Sequence, residues 1–194
     1  MSGPDVGPPS ATVAGRRPAV FLDRDGTIIR DEHYLADPDR VTPIVGASDA
    51  IARLRAAGYA IVVVTNQSGL ARELITPSQY NAVRVRIDAL FGAAGAPLDA
   101  TYMCPHHPSV SGPCDCRKPG LELYTRAARE LGLDLPRSVL IGDRWRDIAA
   151  APSLGARGIL VPSAVTPAED VEQSAREARV APTLAAAASW ILAP

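Results

Sequence analysis

Four short segments carry residue types that can do chemistry. The first, FLDRDGTII, sets Asp23 and Asp25 two positions apart at the end of an apolar run, with Gly26 opening a turn. Carboxylates this close repel unless a shared proton or a cation relieves them. A hard divalent ion such as Mg2+ takes oxygen ligands of this kind and brings water and phosphate with it. The second, VTNQSG, ends an apolar run in Thr65. A hydroxyl followed by free backbone N–H groups near a helix start makes a cradle for a small anion. The third, RKPG, sets Lys118 before a proline that begins the next helix, and a compact ammonium suits a phosphoryl oxygen. The fourth, GDRWRD, puts Asp143 at the end of another apolar run and Asp147 one helical turn later. The strand end favours Asp143 as a further metal ligand, while Asp147 can brace the site or cap the helix. Singly, each of the second and third segments reads as readily as an ordinary polar turn or a solvated basic pair.

A fifth segment, CPHHPSVSGPCDC at 104–116, holds all three cysteines and two of the three histidines. Cys104, His106, Cys114 and Cys116 offer three thiolates and an imidazole, a complete tetrahedral shell for a structural Zn2+. The spacing is tighter than in common zinc knuckles, and His107 is a rival imidazole. A redox role for Cys114 and Cys116 would leave Cys104 and His106 unexplained. An ion here would order a loop that has no secondary structure of its own and would fix Arg117 and Lys118 directly after Cys116.

These residues need a scaffold. Four apolar runs, 19–23, 60–65, 138–143 and 158–161, are nearly unbroken, as strands buried on both faces should be. A weaker strand spans 100–104. Helical spacing marks 47–57, 77–93, 120–131 and 145–151, with Thr76 and Pro77 an N-cap and first-turn pair. Alternating strands and helices imply a parallel sheet with right-handed crossovers, whose sites gather beyond the carboxyl ends of the strands. Two further helices within 164–194 show no evident chemistry.

The 194 residues suffice for one α/β domain, and 47% hydrophobic content lets it fold. We expect a flexible tail over 1–16 and a single domain over 17–194. A net charge of -1 and the absence of a basic tract speak against a nucleic-acid partner. No apolar run reaches membrane-spanning length, and the N-terminus lacks the apolar core of a signal peptide. An odd cysteine count fits a reducing setting. The expectation is a cytoplasmic monomer.

In order and placement, D-x-D-G-T at 23–27, Thr65, Lys118 and G-D-x-x-x-D at 142–147 resemble the haloacid-dehalogenase phosphatase superfamily, over about residues 19–162. The resemblance implies a Rossmann-like parallel sheet with helices on both faces. It implies Asp23 as a nucleophile forming an aspartyl-phosphate and Asp25 as general acid and base, the latter partly neutral because adjacent anions favour its proton. Mg2+ would sit on the Asp23 carboxylate, the Asp25 carbonyl and Asp143, with Arg144 adding at most its backbone. Thr65 and Lys118 would hold the transferring oxygens.

The Cys-Pro-His-His and Cys-x-Cys elements, the Arg-Lys-Pro that follows, and FLDRDGTII and VTNQSGLAR look similar to a narrower branch. That branch holds the heptose-1,7-bisphosphate 7-phosphatases and histidinol phosphatases, and it lacks a large cap domain. The short stretch between DRDGT and TNQSG agrees with a capless form bearing a small zinc loop. Loops must then choose the substrate, and the resemblance implies Arg24, Asp31, Glu32, His33, Tyr34, Asn66, Gln67, Ser68 and Arg117. At 31–34 the branch tends to read Asp-x-Gly-Tyr, and His33 stands for the small residue. Arg117 matches a contact to the non-reacting end of the substrate, where a planar fork suits a second phosphate. Arg144 stands where many members have Lys.

The implied activity is Mg2+-dependent removal of the C7 phosphate of a heptose 1,7-bisphosphate, in nucleotide-activated heptose synthesis. The alternative is histidinol phosphate as substrate; that enzyme is often fused to a dehydratase, for which 194 residues leave no room. A nucleic-acid 3′-phosphatase lacks support in the absence of a basic patch. A zinc-stabilised binding module with a dead core would have lost one of the chemical residues, and all are present.

Overall fold

A computed structural model describes residues 15–193; most of the tail expected over 1–16 lies outside them. Six strands form one parallel sheet: β1 (Arg17–Leu22), β2 (Ala60–Asn66), β3 (Ala100–Cys104), β4 (Leu133–Gly142), β5 (Arg157–Leu160) and β6 (Arg179–Val180). Their order is β3-β2-β1-β4-β5-β6. The chain therefore builds outward from β1 in one direction, then returns to β1 and builds in the other. The crevice where the order reverses, between β1 and β4, is where such sheets bind ligands.

The helices are α1 (Ala47–Ala56), α2 (Pro77–Ala93), α3 (Pro108–Ser111), α4 (Glu122–Leu131), α5 (Trp145–Ile148), α6 (Ala168–Glu177) and α7 (Leu184–Leu192). The strands are apolar on both faces because both are covered. Val20, Leu22, Ile61, Val63, Val139 and Ile141 point into a layer with α1, α2 and α7. Phe21, Val62, Val64, Leu140 and Leu160 point into a second layer with α4 and α5. Period-two alternation thus survives inside runs that look uniformly hydrophobic. In the second layer Phe21 meets Tyr124 edge-on at 5.3 Å, and the Tyr124 hydroxyl donates to the Asp147 carbonyl at 3.1 Å, tying core to site.

The expected elements appear with corrected ends. α2 starts on a capping box between Thr76 and Gln79, with Pro77 in the first turn. β4 begins at Leu133 rather than 138. Leu133 and Asp134 pair with Arg17 and Pro18, and the register then jumps so that Val139 faces Val20. Pro136 disguised this early part, since proline reads as a strand breaker except at such irregularities. The helix expected over 145–151 ends at Ile148, and Pro152 opens a separate 3-10 turn to Leu154, because proline fits a first helical turn but not an interior. β6, inside the apparent C-terminal helical stretch, was not expected.

Between β1 and β2 the chain makes turns, a 3-10 helix at Pro38–Arg40 and α1, and between β3 and α4 only the Cys/His segment with its four-residue α3 and the turn that follows it. The fold is the capless form. Among the described residues no helix is long and apolar enough to cross a membrane.

Candidate active site

A cleft of about 340 Å3 opens over the carboxyl ends of β1, β2 and β4. The Asp23 N–H donates to the Ile141 carbonyl at 2.9 Å, extending the β1–β4 ladder by one step. This delivers Asp23 and Asp143 side by side where the strand order reverses. Gly26, at φ +77°, lets the chain turn under Asp143; a Cβ there would lie 2.4 Å from Asp143 Oδ2. Only glycine allows so close an approach in a left-handed conformation.

Carboxylate oxygens of Asp23, Asp143 and Asp147 gather within 4.8 Å of one another. Lys118, buried, is the ammonium among them. Its Nζ donates to Asp23 Oδ1 at 2.6 Å and to the Val64 carbonyl at 2.7 Å. Asp147 Oδ1 lies 2.8 Å from Nζ, but as an ion pair rather than a well-directed hydrogen bond. Burial opposes the ammonium's charge, yet Asp147 and Asp23 outweigh it and hold the Lys118 pKa above its ordinary value. Burial pushes Asp143 up to about 7, against a hydrogen bond from Ser163 and with help from the negative charge of Asp23 and Asp147. Burial likewise raises Asp147. Three carboxylates around one ammonium leave negative charge in excess. A hard divalent cation fits that deficit and the oxygen-only donor set.

Asp25 belongs to a second network. Arg24 Nε lies 3.1 Å from both its carboxylate oxygens, and Arg24 Nη2 lies 2.9 Å from Oδ2. Gln67 Nε2 donates to Asp25 Oδ2 at 2.9 Å and to Thr65 Oγ1 at 2.8 Å, while its Oε1 accepts from Arg24 Nη2 at 2.9 Å. The partners of Asp25 are therefore a guanidinium and an amide, not the anions expected from the sequence, because Arg24 folds back over the turn and packs against the Tyr80 ring. Arg24 and Gln67, expected to touch substrate, are buried and spend their polar atoms on the site itself. Asn66 does the same: its Oδ1 accepts from the Lys118 N–H at 3.0 Å, holding that backbone in place. Ser68 lines the cleft.

The Cys/His segment closes on itself beside β3. Cys116 Sγ lies 2.9 Å from Cys104 and 3.5 Å from Cys114, and Cys104 lies 3.7 Å from Cys114. The imidazole brought to them is His106, its Nδ1 3.2 Å from Cys116 and 3.8 Å from Cys104. His107 instead accepts from the Ser109 N–H and caps α3. Ligands about 2.3 Å from a tetrahedral zinc lie about 3.8 Å apart, and most of these separations fall near that value. Burial raises Cys104 and Cys116. Burial also acts on Cys114, but hydrogen bonds from Cys116 and the Arg117 N–H prevail and bring it to about 7. Thiols this crowded keep protons or share a cation.

A family model described as polynucleotide kinase 3 phosphatase matches residues 19–149, and one described as HAD-hydrolase-like matches 115–187. A D-glycero-beta-D-manno-heptose-1,7-bisphosphate 7-phosphatase of Photorhabdus laumondii is 42% identical over 139 residues, 69% of this chain and 74% of the relative. The protein of the same name from Escherichia coli K12 is 41% identical over 139 residues, 69% of this chain and 73% of its own. The chain belongs to this heptose-bisphosphate phosphatase family. Among solved structures, a D,D-heptose 1,7-bisphosphate phosphatase from B. bronchiseptica, complexed with magnesium and phosphate, superposes with TM-score 0.80 at 35% identity. The match covers 90% of this chain and 98% of that one.

In this member of the heptose-bisphosphate phosphatase family, the rim of the cleft is formed by loop residues together with the start of α5. Asp31 accepts from the His33 N–H at 3.0 Å, and His33 and Tyr34 both sit in left-handed backbone, at φ +44° and +60°. That conformation is the one a glycine takes without strain, so His33 stands in a glycine's place at a cost of about 1–2 kcal/mol. Tyr34 lies over Gly69, where a Cβ would come within 2.7 Å of its ring, and its hydroxyl accepts from Arg72. Glu32 turns away from the cleft to pair with Arg40. Arg117 lines the cleft while its Nη1 donates to the His106 carbonyl at 3.1 Å. The Arg144 side chain is drawn to Asp170, 2.7 Å from Nε. The sequence reading passed over Arg146 and weighed His107 only as a rival zinc ligand; both line the cleft. Among the described residues the one ion-pair partner of Arg146 is Asp147, at 3.9 Å, and its place one residue before Asp147 on α5 was the signal available for it.

Proposed function

We propose that the protein is a Mg2+-dependent phosphatase removing the C7 phosphate of D-glycero-D-manno-heptose 1,7-bisphosphate, in nucleotide-activated heptose synthesis. The observation that carries the chemistry is Asp23, held 2.6 Å from a buried ammonium at the head of an open cleft. The names of relatives about 40% identical support the substrate, and their "beta" favours the β anomer at C1. No observation favours histidinol phosphate. The net charge of -1 does not favour a polynucleotide, despite the description of one matching family.

In this reading Lys118 holds Asp23 Oδ1, leaving Oδ2 to attack phosphorus. The phosphorus–oxygen bond to the sugar breaks, and an aspartyl-phosphate forms. Asp25 gives its proton to the departing sugar oxygen. Its Oδ2 is crowded with donors, so Oδ1, which accepts only from Arg24 Nε, is the oxygen that carries the proton. Asp25 then takes a proton from water, which attacks the phosphorus and frees phosphate and Asp23. Thr65 and Lys118 steady the transferring oxygens. Asp23, Asp143 and the Asp25 carbonyl would hold Mg2+, with Asp147 behind them, and bound Mg2+ would neutralise charge shared between carboxylate and phosphoryl group. Cys104, His106, Cys114 and Cys116 would hold a structural Zn2+. Residues 17–194 act as one domain, a monomer in the cytoplasm.

Rates on the α and β heptose bisphosphates and on histidinol phosphate, with Mg2+, test this. The β bisphosphate should be preferred, and Asp23→Asn and Asp25→Asn should each abolish most turnover. A preference for histidinol phosphate would overturn the substrate; normal turnover by both variants would overturn the mechanism.

A further inference from the structure

The segment after β5, outside every motif discussed above, grips the turn that bears Asp143. The Val161 N–H donates to the Gly142 carbonyl at 2.8 Å, so the residues leaving β4 and β5 meet. Ser163 Oγ lies 2.6 Å from Asp143 Oδ2, and Thr166 Oγ1 lies 2.7 Å from the Asp143 carbonyl. The direction of both bonds is settled. The Asp143 carbonyl, and its carboxylate in the ionised form that would bind a cation, have no proton to give, so both hydroxyls donate to Asp143. Thr166 Oγ1 in turn accepts the Ser163 N–H at 2.8 Å. Beyond them, Asp170 Oδ2 takes the Arg144 Nε at 2.7 Å and the Trp145 N–H at 3.0 Å.

We propose that Ser163 and Thr166 are positioning residues that fix Asp143 for its cation. The carboxylate is wedged between the Ser163 hydroxyl and the backbone of Gly26, where even a methyl group would collide with Oδ2. With Oδ2 engaged, Oδ1 is the oxygen left to bind. Asp143 is thereby held to one orientation and one free lone-pair face before any ion arrives, and the ordering cost of binding is already met. Partners of this kind behind a metal ligand typically contribute 10–100-fold in metal affinity.

The inference rests on the Mg2+ reading above and is independent of which sugar is bound. Isothermal titration of the full chain with MgCl2, without substrate, tests it. Ser163→Ala should weaken Mg2+ binding about tenfold or more. Ser163→Thr, which keeps the hydroxyl, should restore affinity to near that of the unaltered protein. Thr166→Val should weaken it less, since it frees the carbonyl side only. A merely structural role would lower the melting temperature of the Mg2+-free variants without moving Mg2+ affinity, and that result would overturn the proposal. So would equal weakening by Ser163→Ala and Ser163→Thr. Failure of the unaltered protein to bind Mg2+ would overturn it along with the reading on which it rests.

Discussion

Replacing Lys118 with Met removes the charge while keeping most of the side chain's length. The ammonium is buried and touches Asp23 at 2.6 Å, Val64 at 2.7 Å and Asp147 at 2.8 Å. Removing one partner of a buried ion pair leaves an uncompensated charge, at a cost of about 3–5 kcal/mol. For a chain of this size each kcal/mol lowers the melting temperature by about 2–4 °C, so a fall of about 6–20 °C is expected at pH 8. The sign with pH follows from the acids. Burial raises Asp147, and Lys118 is the main force pulling it back; burial already places Asp143 at about 7. A carboxyl whose folded pKa exceeds its unfolded value favours folding fully below the unfolded pKa, and that advantage is lost as pH rises through the folded pKa. Without Lys118, Asp147 keeps its proton to higher pH, so the variant's deficit should be large at pH 8 and shrink towards pH 5. Thermal unfolding followed by circular dichroism in Mg2+-free buffer, stepped from pH 5 to 8, reads this directly. Added Mg2+ should recover part of the loss at pH 8. A melting temperature within about 2 °C of the unaltered protein at pH 8 would refute the reasoning, as would a deficit that does not change with acid.

Cys116→Ser should purify with little or no zinc by elemental analysis, where the unaltered chain carries about one ion, and turnover should fall because Arg117 and Lys118 lose their anchor. Arg146→Ala and Arg117→Ala should each raise KM for the bisphosphate about 10–100-fold, the loss of one charge-assisted hydrogen bond, while leaving KM for a C7 monophosphate much less affected. Gly26→Ala pairs a left-handed backbone with a 2.4 Å contact on Asp143. Chemical denaturation should show it less stable by about 2 kcal/mol or more, and Mg2+ titration should show weakened binding.

The parts of this protein that could be read from its sequence are those specified locally. The start of α2 was legible because Thr76 and Pro77 write an N-cap and first turn into adjacent positions. The inner strands were legible because they are apolar on both faces. The start of β4 was hidden by a register jump around Pro136, and β6 by being two residues long. The acidic site follows the same division. Asp23, Asp143 and Lys118 announce themselves at strand ends or before a helix. Arg24, Asn66 and Gln67 lie among motif residues, yet their side chains turn inward to hold Asp25, Thr65 and the Lys118 backbone. Nothing in their spacing distinguishes that from contact with a substrate. Ser163 and Asp170 are further from legible. They meet residues 143–145 because β4 and β5 are neighbours in the sheet, a relation created by the fold and carried by no short pattern.

The bonds around Gln67 also have a polarity. A guanidinium can only donate, so the Gln67 oxygen must face Arg24 and its amide nitrogen must face Asp25 and Thr65. Thr65 Oγ1 therefore accepts a hydrogen bond from that side, and its own O–H is left free to donate. The chain of donors begins at a permanent cation buried in the cleft wall and finishes at a hydroxyl that lines the cleft. Such an end can offer a hydrogen to an anion, and it repels other donors that approach along the same line. The buried Arg24 thus favours an anion at Thr65 through one amide whose orientation it fixes.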